Sequence, residues 1–395
     1  MKQVQVRKGR EGAILRRSPW IFSGSIGRED DPIEDGELVQ VVDSSGRQIG
    51  IGDYQHGSIR VRVLHFGGED QPADLIGNLM DRAWDLRRQL GLHADPLTDA
   101  YRLVHAASDG LPGLIVDRYG PVAVVQCHSI GMHRRIGEIS EQLLRLGQGT
   151  IETVYDKSAA VLPERYAADH QDRTVHGSLP DPLIVRENGR RFVIDIPGGQ
   201  KTGFFLDQRE NRWLLGSYAR GARILNLFSY SGGFSVYGLL GGGAQVHSVD
   251  QSESAIDLCR HNVTANGEPE GEHRAIVADA LDFLKDARDE APYDIVVVDP
   301  PAYAKNKHRR HKAVQAYKRL NINAMARVRP GGLLFTFSCS RVVDRQLFYD
   351  TLVAAGLEAG RPVSVLHRLS QGPDHPVSLF HSEGEYLKGL VLRVD

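Results

Sequence analysis

The run LLFTFSCSRVV, residues 333–343, opens as an apolar strand and then breaks into Ser338-Cys339-Ser340 and an arginine. A thiolate at the mouth of a core strand is a nucleophile that can add to C6 of a pyrimidine ring. Addition gives C5 enamine character, so that C5 can take a methyl cation equivalent from a sulfonium. Loss of the C5 proton and expulsion of the thiol then restore the ring. The plainer alternative is an inert core cysteine, the usual fate of a buried thiol. A second run, IVVVDPPAYAKNK, buries four apolar residues and places Asp299 at the strand tip. Pro300 and Pro301 restrict φ and lack amide donors, which holds the loop carbonyls toward a flat, hydrogen-bonding ligand. An adenine-amino methyltransferase would place an aromatic residue directly after the prolines. Ala302 stands there and Tyr303 follows it, which argues against that chemistry. Beside a DPP loop and a sulfonium site, Cys339 reads as a nucleophile. Cys127 in an alternating strand and Cys259 in DLCRHNV read as core.

The methyl donor needs its own site. Strand ILNLF, ending at Phe228, runs into Ser229-Tyr230-Ser231-Gly232-Gly233 and then a helix pattern. Glycines allow close backbone approach, and a helix N-terminus offers N–H donors. Asp250, closing QVHSVD, can accept from two vicinal ribose hydroxyls. Asp279, after AIVA, falls where an adenine amino group would lie. A nicotinamide cofactor would use the same acid after the second strand, so this geometry does not separate NAD from S-adenosylmethionine. The turn is not GxGxxG, which weakens the dinucleotide case.

Such residues converge only if their strands share one sheet edge. After residue 182, a hairpin pattern with Asn188-Gly189 at its turn is followed by apolar strands alternating with helices. This predicts an α/β, mostly parallel, doubly wound Rossmann-type sheet over 184–395, with ligands beyond its carboxyl edge. Residues 1–72 alternate β-rich runs (VQVRK, GELVQVVD, RQIGIGDY, SIRVRVLHF) with turns, which predicts a small β-barrel. Residues 73–183 predict an α+β unit: a helix with Leu75, Leu79, Ala83, Leu86 and Leu90 on one face, strands LPGLIVDRYG and PVAVVQCHS, a second helix, IETVYD, and a loose polar stretch near 164–180. A chain of 395 residues accommodates these three parts. No apolar run approaches the ~20 residues of a membrane span. The N-terminus lacks a signal-peptide core, and three scattered cysteines supply neither a disulfide framework nor a metal pair. A cytoplasmic protein without a metal is expected.

Net charge is −2, so a nucleic-acid surface must be a local patch. One candidate is the opening run of Lys2, Arg7, Lys8, Arg10, Arg16 and Arg17 against the single acid Glu11. Another is Lys305, Lys307, Arg309, Arg310 and Lys312, with no interleaved acid. Trp20 and Phe22 read as core rather than as base-stacking residues.

The motifs KGREGAILRRSPWIFSG, SDGLPGLIVDRYG, KTGFFLDQR, NLFSYSGGFSV, VVDPPAYAKNK, LLFTFSCS, DHPV and EGEYLKG span essentially the whole chain. Together they resemble the RlmI-like large-subunit ribosomal RNA cytosine-C5 methyltransferases. The resemblance implies an N-terminal PUA domain, a central α/β domain and a Rossmann-fold methyltransferase domain. It also implies S-adenosylmethionine as donor and C5 of a cytosine in 23S rRNA, naked or in a large-subunit precursor, as acceptor. Whether the chain forms a homodimer is left open. By the same resemblance Cys339 is the nucleophile and Asp299 orients the base at its N3/N4 edge. Phe228, Ser229, Gly232, Gly233, Asp250, Asp279 and also Asp299 hold the cofactor, and Gln208 and Arg209 line its methionine end. Lys8, Arg10, Arg16, Arg17, Lys305, Lys307, Arg309 and Arg310 are the expected RNA contacts. Family members commonly read DPPKF where this chain reads DPPAY, so a lysine has no part beside this aspartate. A related guanine methyltransferase would share the glycine turn and DPP without needing Cys339. A catalytically idle RNA-binding assembly factor would keep the folds alone.

Overall fold

The computed structural model describes residues 1–68, 73–286, 291–304 and 306–395; Lys305 and the side chain of Lys307 fall outside the described residues. The chain forms two compact units. The first comprises Met1–Arg186, Ile194–Phe204 and Pro373–Gly384. The second comprises Glu187–Val193, Phe205–Gly372 and Glu385–Asp395.

In the first unit, β1 (Lys2–Val6), α1 (Gly12–Leu15), β2 (Trp20–Phe22), β3 (Ile26–Glu29), β4 (Leu38–Val42), β5 (Gln48–Tyr54) and β6 (Ile59–Phe66) come first. Their strands pair in the order β2-β6-β5-β4-β1-β3. The small β-rich domain expected here is present, and among the described residues no strand pairing joins its two end strands β2 and β3. Alternation along β1 and β4 sends Val4, Val6, Val39 and Val41 into a core with Ile21 and Val61. Trp20 is only half-buried and Phe22 is 48% exposed, against the expectation that both lie in the core. A three-residue strand alternates faces, and Ile21 takes the inner one. Lys2 pairs at 3.0 Å with Glu37, an acid brought from another strand's approach, which removes it from the basic run.

The same unit continues through α2 (Leu75–Gln89), β7 (Ala100–His105), β8 (Leu114–Tyr119), β9 (Val122–Cys127), α3 (Ile130–Arg134), α4 (Ile136–Gly147), β10 (Thr153–Asp156), α5 (Glu164–Ala167) and β11 (Arg173–His176). The five strands order as β11-β10-β9-β8-β7. The stretch read as loose contains α5 and the edge strand β11, whose polar residues carry no two-fold alternation to betray it. On α2, Leu75, Leu79 and Ala83 are buried as expected, but Leu86 is half-buried and Leu90 is exposed. The buried stripe ends instead on Arg87, whose guanidinium pairs with Asp109 at 2.8 Å and donates to the Arg102 carbonyl. Ile51 of β5 and Leu64 of β6 join the core of this second sheet. That shared core makes residues 1–72 and 73–183 parts of one compact unit.

A hairpin of β12 (Ile184–Glu187) and β13 (Arg190–Val193) turns at Asn188 and Gly189, both with positive φ, as a two-residue hairpin turn requires. The second unit then alternates. Its elements are α6 (Arg209–Tyr218), β14 (Arg223–Leu227), α7 (Gly233–Leu240), β15 (Gln245–Asp250), α8 (Glu253–Thr264), β16 (Glu272–Val277), α9 (Ala280–Asp286), β17 (Tyr293–Val298), α10 (Arg310–Met325), β18 (Val328–Ser338), α11 (Arg345–Ala359), β19 (Val363–Leu369) and β20 (Lys388–Val394). The sheet order is β16-β15-β14-β17-β18-β20-β19. The first five strands are parallel, and β20 runs antiparallel between β18 and β19. Strand order reverses between β14 and β17, the switch point at which such sheets bind ligands. Val296, Val298, Leu334 and Leu392 lie in the hydrophobic core on this sheet.

Candidate active site

Strand register brings the chemistry together. Leu227 pairs with Val249 and Val298, and Val298 with Thr336. One residue further along each strand therefore come Phe228, Asp250, Asp299 and Phe337, with Cys339 two beyond Phe337. Asp250 also pairs with Val277, which puts Asp279 just past the same edge. Five residues picked from five separate segments thus share one sheet edge, because parallel strands of matched register end together.

The glycine turn is tightly built. Phe228, Tyr230 and Gly232 all have positive φ, of 57°, 45° and 80°. A Cβ on Gly232 would lie 2.4 Å from Cys259 Sγ, so only glycine fits there. Cys259 is accordingly a packing residue beneath the turn, fully buried, with its thiol pushed up to about 11 by desolvation. Gly233 opens α7, whose first-turn N–H groups have no intrahelical acceptor. Asp250 Oδ2 accepts from Tyr230 N at 2.9 Å and Oδ1 from Ser252 N at 3.0 Å. Its carboxylate is thereby aimed while remaining half-exposed. Asp279 Oδ1 caps α9 through the amides of Leu281 and Asp282, so a ligand would have to use Oδ2. Ser229 Oγ and Ser231 Oγ are buried and have no hydrogen-bond partner among the described residues. Buried hydroxyls left so cost about 1–3 kcal/mol each. A polar ligand in the turn would relieve both, so these residues fit a nucleoside cofactor.

The DPP loop is equally constrained. Gln208 Nε2 donates to Asp299 Oδ2 at 2.9 Å, and Gln208 Oε1 accepts from Asn211 Nδ2 at 2.6 Å. Gln208 is thus a holder of the aspartate, a role beyond the expected contact with the methionine end. Arg209 is buried and pairs with Glu210 at 3.2 Å. The two hydroxyls flanking the cysteine prove structural. Ser338 and Ser340 are fully buried, and Ser340 Oγ donates to the Ala304 carbonyl at 2.9 Å. Cys339 between them is half-buried, with Sγ 4.0 Å from the Pro300 carbonyl oxygen. The sulfur therefore faces the DPP loop rather than packed hydrocarbon. Cys127 is fully buried in β9, its thiol pushed up by desolvation. Tyr303 is half-buried and packs its ring edge-on against Tyr317, with centroids 4.8 Å apart.

Sequence reasoning missed Asn211 and Lys388. Lys388 stood within EGEYLKG without a role, yet a lysine opening the apolar run GLVLRV was the available signal. Lys8, Arg10, Arg16 and Arg17 are exposed on the first unit, and Arg309 and Arg310 on the second. Lys305 and the Lys307 side chain lie outside the described residues. Among the described residues, no group of three acidic, histidine or cysteine side chains could hold a metal, and no helix is long and apolar enough to cross a membrane.

A parallel sheet with a glycine turn and strand-end carboxylates at one edge fits a nucleoside cofactor, and the family match makes the class a methyltransferase that uses S-adenosylmethionine. Residues 134–390 match the S-adenosylmethionine-dependent methyltransferase family, and residues 4–66 match a PUA-like domain. Ribosomal RNA large subunit methyltransferase I of Aeromonas salmonicida is 37% identical, over 99% of this chain and 98% of its own. The protein of the same name from Klebsiella pneumoniae is 38% identical over the same shares. A methyltransferase from Streptococcus mutans has the same fold at TM-score 0.82, with 21% identity and full coverage of both chains. The chain belongs to the ribosomal RNA large subunit methyltransferase I family.

Asp250→Ala is expected to weaken S-adenosylmethionine binding by about tenfold to a hundredfold, the worth of one or two charge-assisted hydrogen bonds. The urea midpoint should move little, since the residue is half-exposed. Calorimetry that returned the unaltered affinity would remove Asp250 from the cofactor site.

Proposed function

We propose that the protein methylates C5 of a cytosine in 23S rRNA through a covalent bond between Cys339 and C6 of the base. The observation that carries this reading is the half-buried Cys339 sulfur facing the Pro300 carbonyl, one loop from a carboxylate held by Gln208. Bound S-adenosylmethionine supplies an electrophilic methyl group on a sulfonium. Cys339 would form the S–C6 bond, and the C5=C6 electron pair would shift to C5, which would take the methyl as the donor's S–CH3 bond breaks and leaves a neutral thioether. C5 then loses its proton to a base, the double bond re-forms, and the S–C6 bond breaks to return the thiolate. Asp299, with Oδ2 fixed by Gln208, accepts from the exocyclic amine at N4 and so selects cytosine over uracil. Exposed Lys8, Arg10, Arg16, Arg17, Arg309 and Arg310 contact phosphates. Each one lost should lower the salt slope of RNA binding by about one unit. We assign the division 1–72, 73–183 and 184–395 to an RNA-binding part, a central α+β part and a catalytic part. A reducing cytoplasm suits three cysteines of which none forms a disulfide.

Mass-spectrometric or bisulfite mapping of 23S rRNA with and without the protein tests this. One cytosine should convert to 5-methylcytosine. A methylguanine appearing instead would overturn the pyrimidine chemistry. Cofactor binding with no methylated rRNA would favour the assembly-factor reading.

A further inference from the structure

Lys388 is a buried cation that the chemistry above leaves without a part. It opens β20 and pairs across the sheet with Ser338, the residue before Cys339. Only 5% of it is exposed. Its Nζ donates to the Ser340 carbonyl at 2.7 Å and to the Tyr386 carbonyl at 2.9 Å. Both acceptors are neutral, and no carboxylate among the described residues lies at ion-pair distance from it. A buried ammonium without an anion is costly, and such a residue persists where an anion is needed or made. The ammonium is tied to the carbonyl of the residue after Cys339 and stands across the ladder from the residue before it. Of the groups that can carry a negative charge around it, the Cys339 thiol is the one that acts on it most.

We propose that Lys388 is the positioning cation that holds Cys339 ionised for attack. This rests on the reading of Cys339 as nucleophile and adds what activates it. The charged groups of the neighbouring elements have partners of their own. From α11, Arg345 is paired with Glu385, and Asp344 caps the helix through Leu347 N at 2.9 Å. From α10, the Tyr317 hydroxyl is pushed upward by burial and stays neutral. From the loop after β17, the Asp299 carboxyl group adds no positive charge. Burial pushes Lys388 itself down to about 8, while the Cys339 thiolate pulls it back up. The sign follows. Below that range the ammonium is present and favours thiolate, so Cys339 ionises earlier than an ordinary thiol near 8.5. The two protons belong to the pair rather than to either residue. No bond to Lys388 forms or breaks. The thiol proton passes to solvent, and the same charge eases departure of the sulfur when C5=C6 re-forms.

The test is the pH profile of iodoacetamide alkylation at Cys339, read by peptide mass spectrometry on the full chain without RNA or cofactor. Cys127 and Cys259, both fully buried, serve as internal reporters of folding. The unaltered protein should show an inflection about one unit or more below the ordinary thiol value. Lys388→Met should raise it by about one unit or more and slow alkylation at pH 7 about tenfold. Lys388→Arg should keep it low. An inflection near 8.5 in the unaltered protein overturns the proposal, as does a Lys388→Met profile that superimposes on it while Cys127 and Cys259 stay protected. If Lys388→Met exposes those two cysteines, the profile of the unaltered protein decides alone. A low inflection with no 5-methylcytosine formed supports the lysine and removes the cytosine reading. An ordinary inflection with 5-methylcytosine intact does the reverse.

Discussion

Cys339→Ala is expected to lower methyl transfer by at least about 10³-fold, the scale on which removal of a covalent nucleophile acts. S-adenosylmethionine affinity should be unchanged. The cofactor turn lies on β14, whereas Cys339 leaves β18, and β17 stands between those strands. Stability should change by no more than about 1 kcal/mol, because the side chain is half-buried and its replacement leaves Ser338 and Ser340 in their bonds. The measurement is single-turnover methylation with a labelled donor, alongside calorimetry of the cofactor. Cys339→Ser would separate sulfur chemistry from size, since the hydroxyl fills similar space but is a far weaker nucleophile at neutral pH. Turnover retained within tenfold in the alanine variant would end the nucleophile assignment. Under the guanine reading the substitution should be nearly silent, so one experiment divides the two chemistries.

Gly232→Ala should cost both stability and cofactor binding. The residue sits at φ 80°, where an L side chain pays about 1–2 kcal/mol. The added methyl would lie 2.4 Å from Cys259 Sγ and 3.3 Å from Cys259 Cα, so α8 itself must shift. Overpacking of that kind costs about 1–3 kcal/mol more. A loss of about 2–5 kcal/mol is expected in urea unfolding. Cofactor affinity should fall at least tenfold, since Tyr230 N, which aims Asp250, is two residues away. Adding Cys259→Ala removes the sulfur and should recover part of the loss, leaving the backbone strain. A double-mutant cycle reads that coupling. Strict additivity, with no recovery, would show that the turn and α8 are not in the contact described.

Much of the catalytic unit was legible because parallel strands announce themselves. QVHSVD, VVVD and LLFTFS each end in a polar residue and ILNLF runs straight into Ser229, and in a doubly wound sheet those ends meet. Asp250, Asp299 and Cys339 could therefore be assigned to one edge from strand order alone. The hairpin at Asn188-Gly189 was legible too, because few residue pairs accept two consecutive positive φ values. Periodicity failed where a tertiary partner overruled it. On α2 the apolar stripe would have run to Leu90, but Asp109 supplied a counter-charge that let Arg87 go inside instead. Lys2 left the basic run when folding brought Glu37 to it.

The motifs by themselves determined which chemistry was available: a thiol, a carboxylate behind two prolines, a glycine turn and an acid after the second strand. Only the tertiary structure decided what holds them. Gln208 on Asp299, Ser340 on the Ala304 carbonyl and Lys388 on the Ser340 carbonyl are contacts between segments 36 to 91 residues apart. Nothing local records such pairings, because a hydrogen bond across the fold depends on strand order and register rather than on the residues flanking either partner.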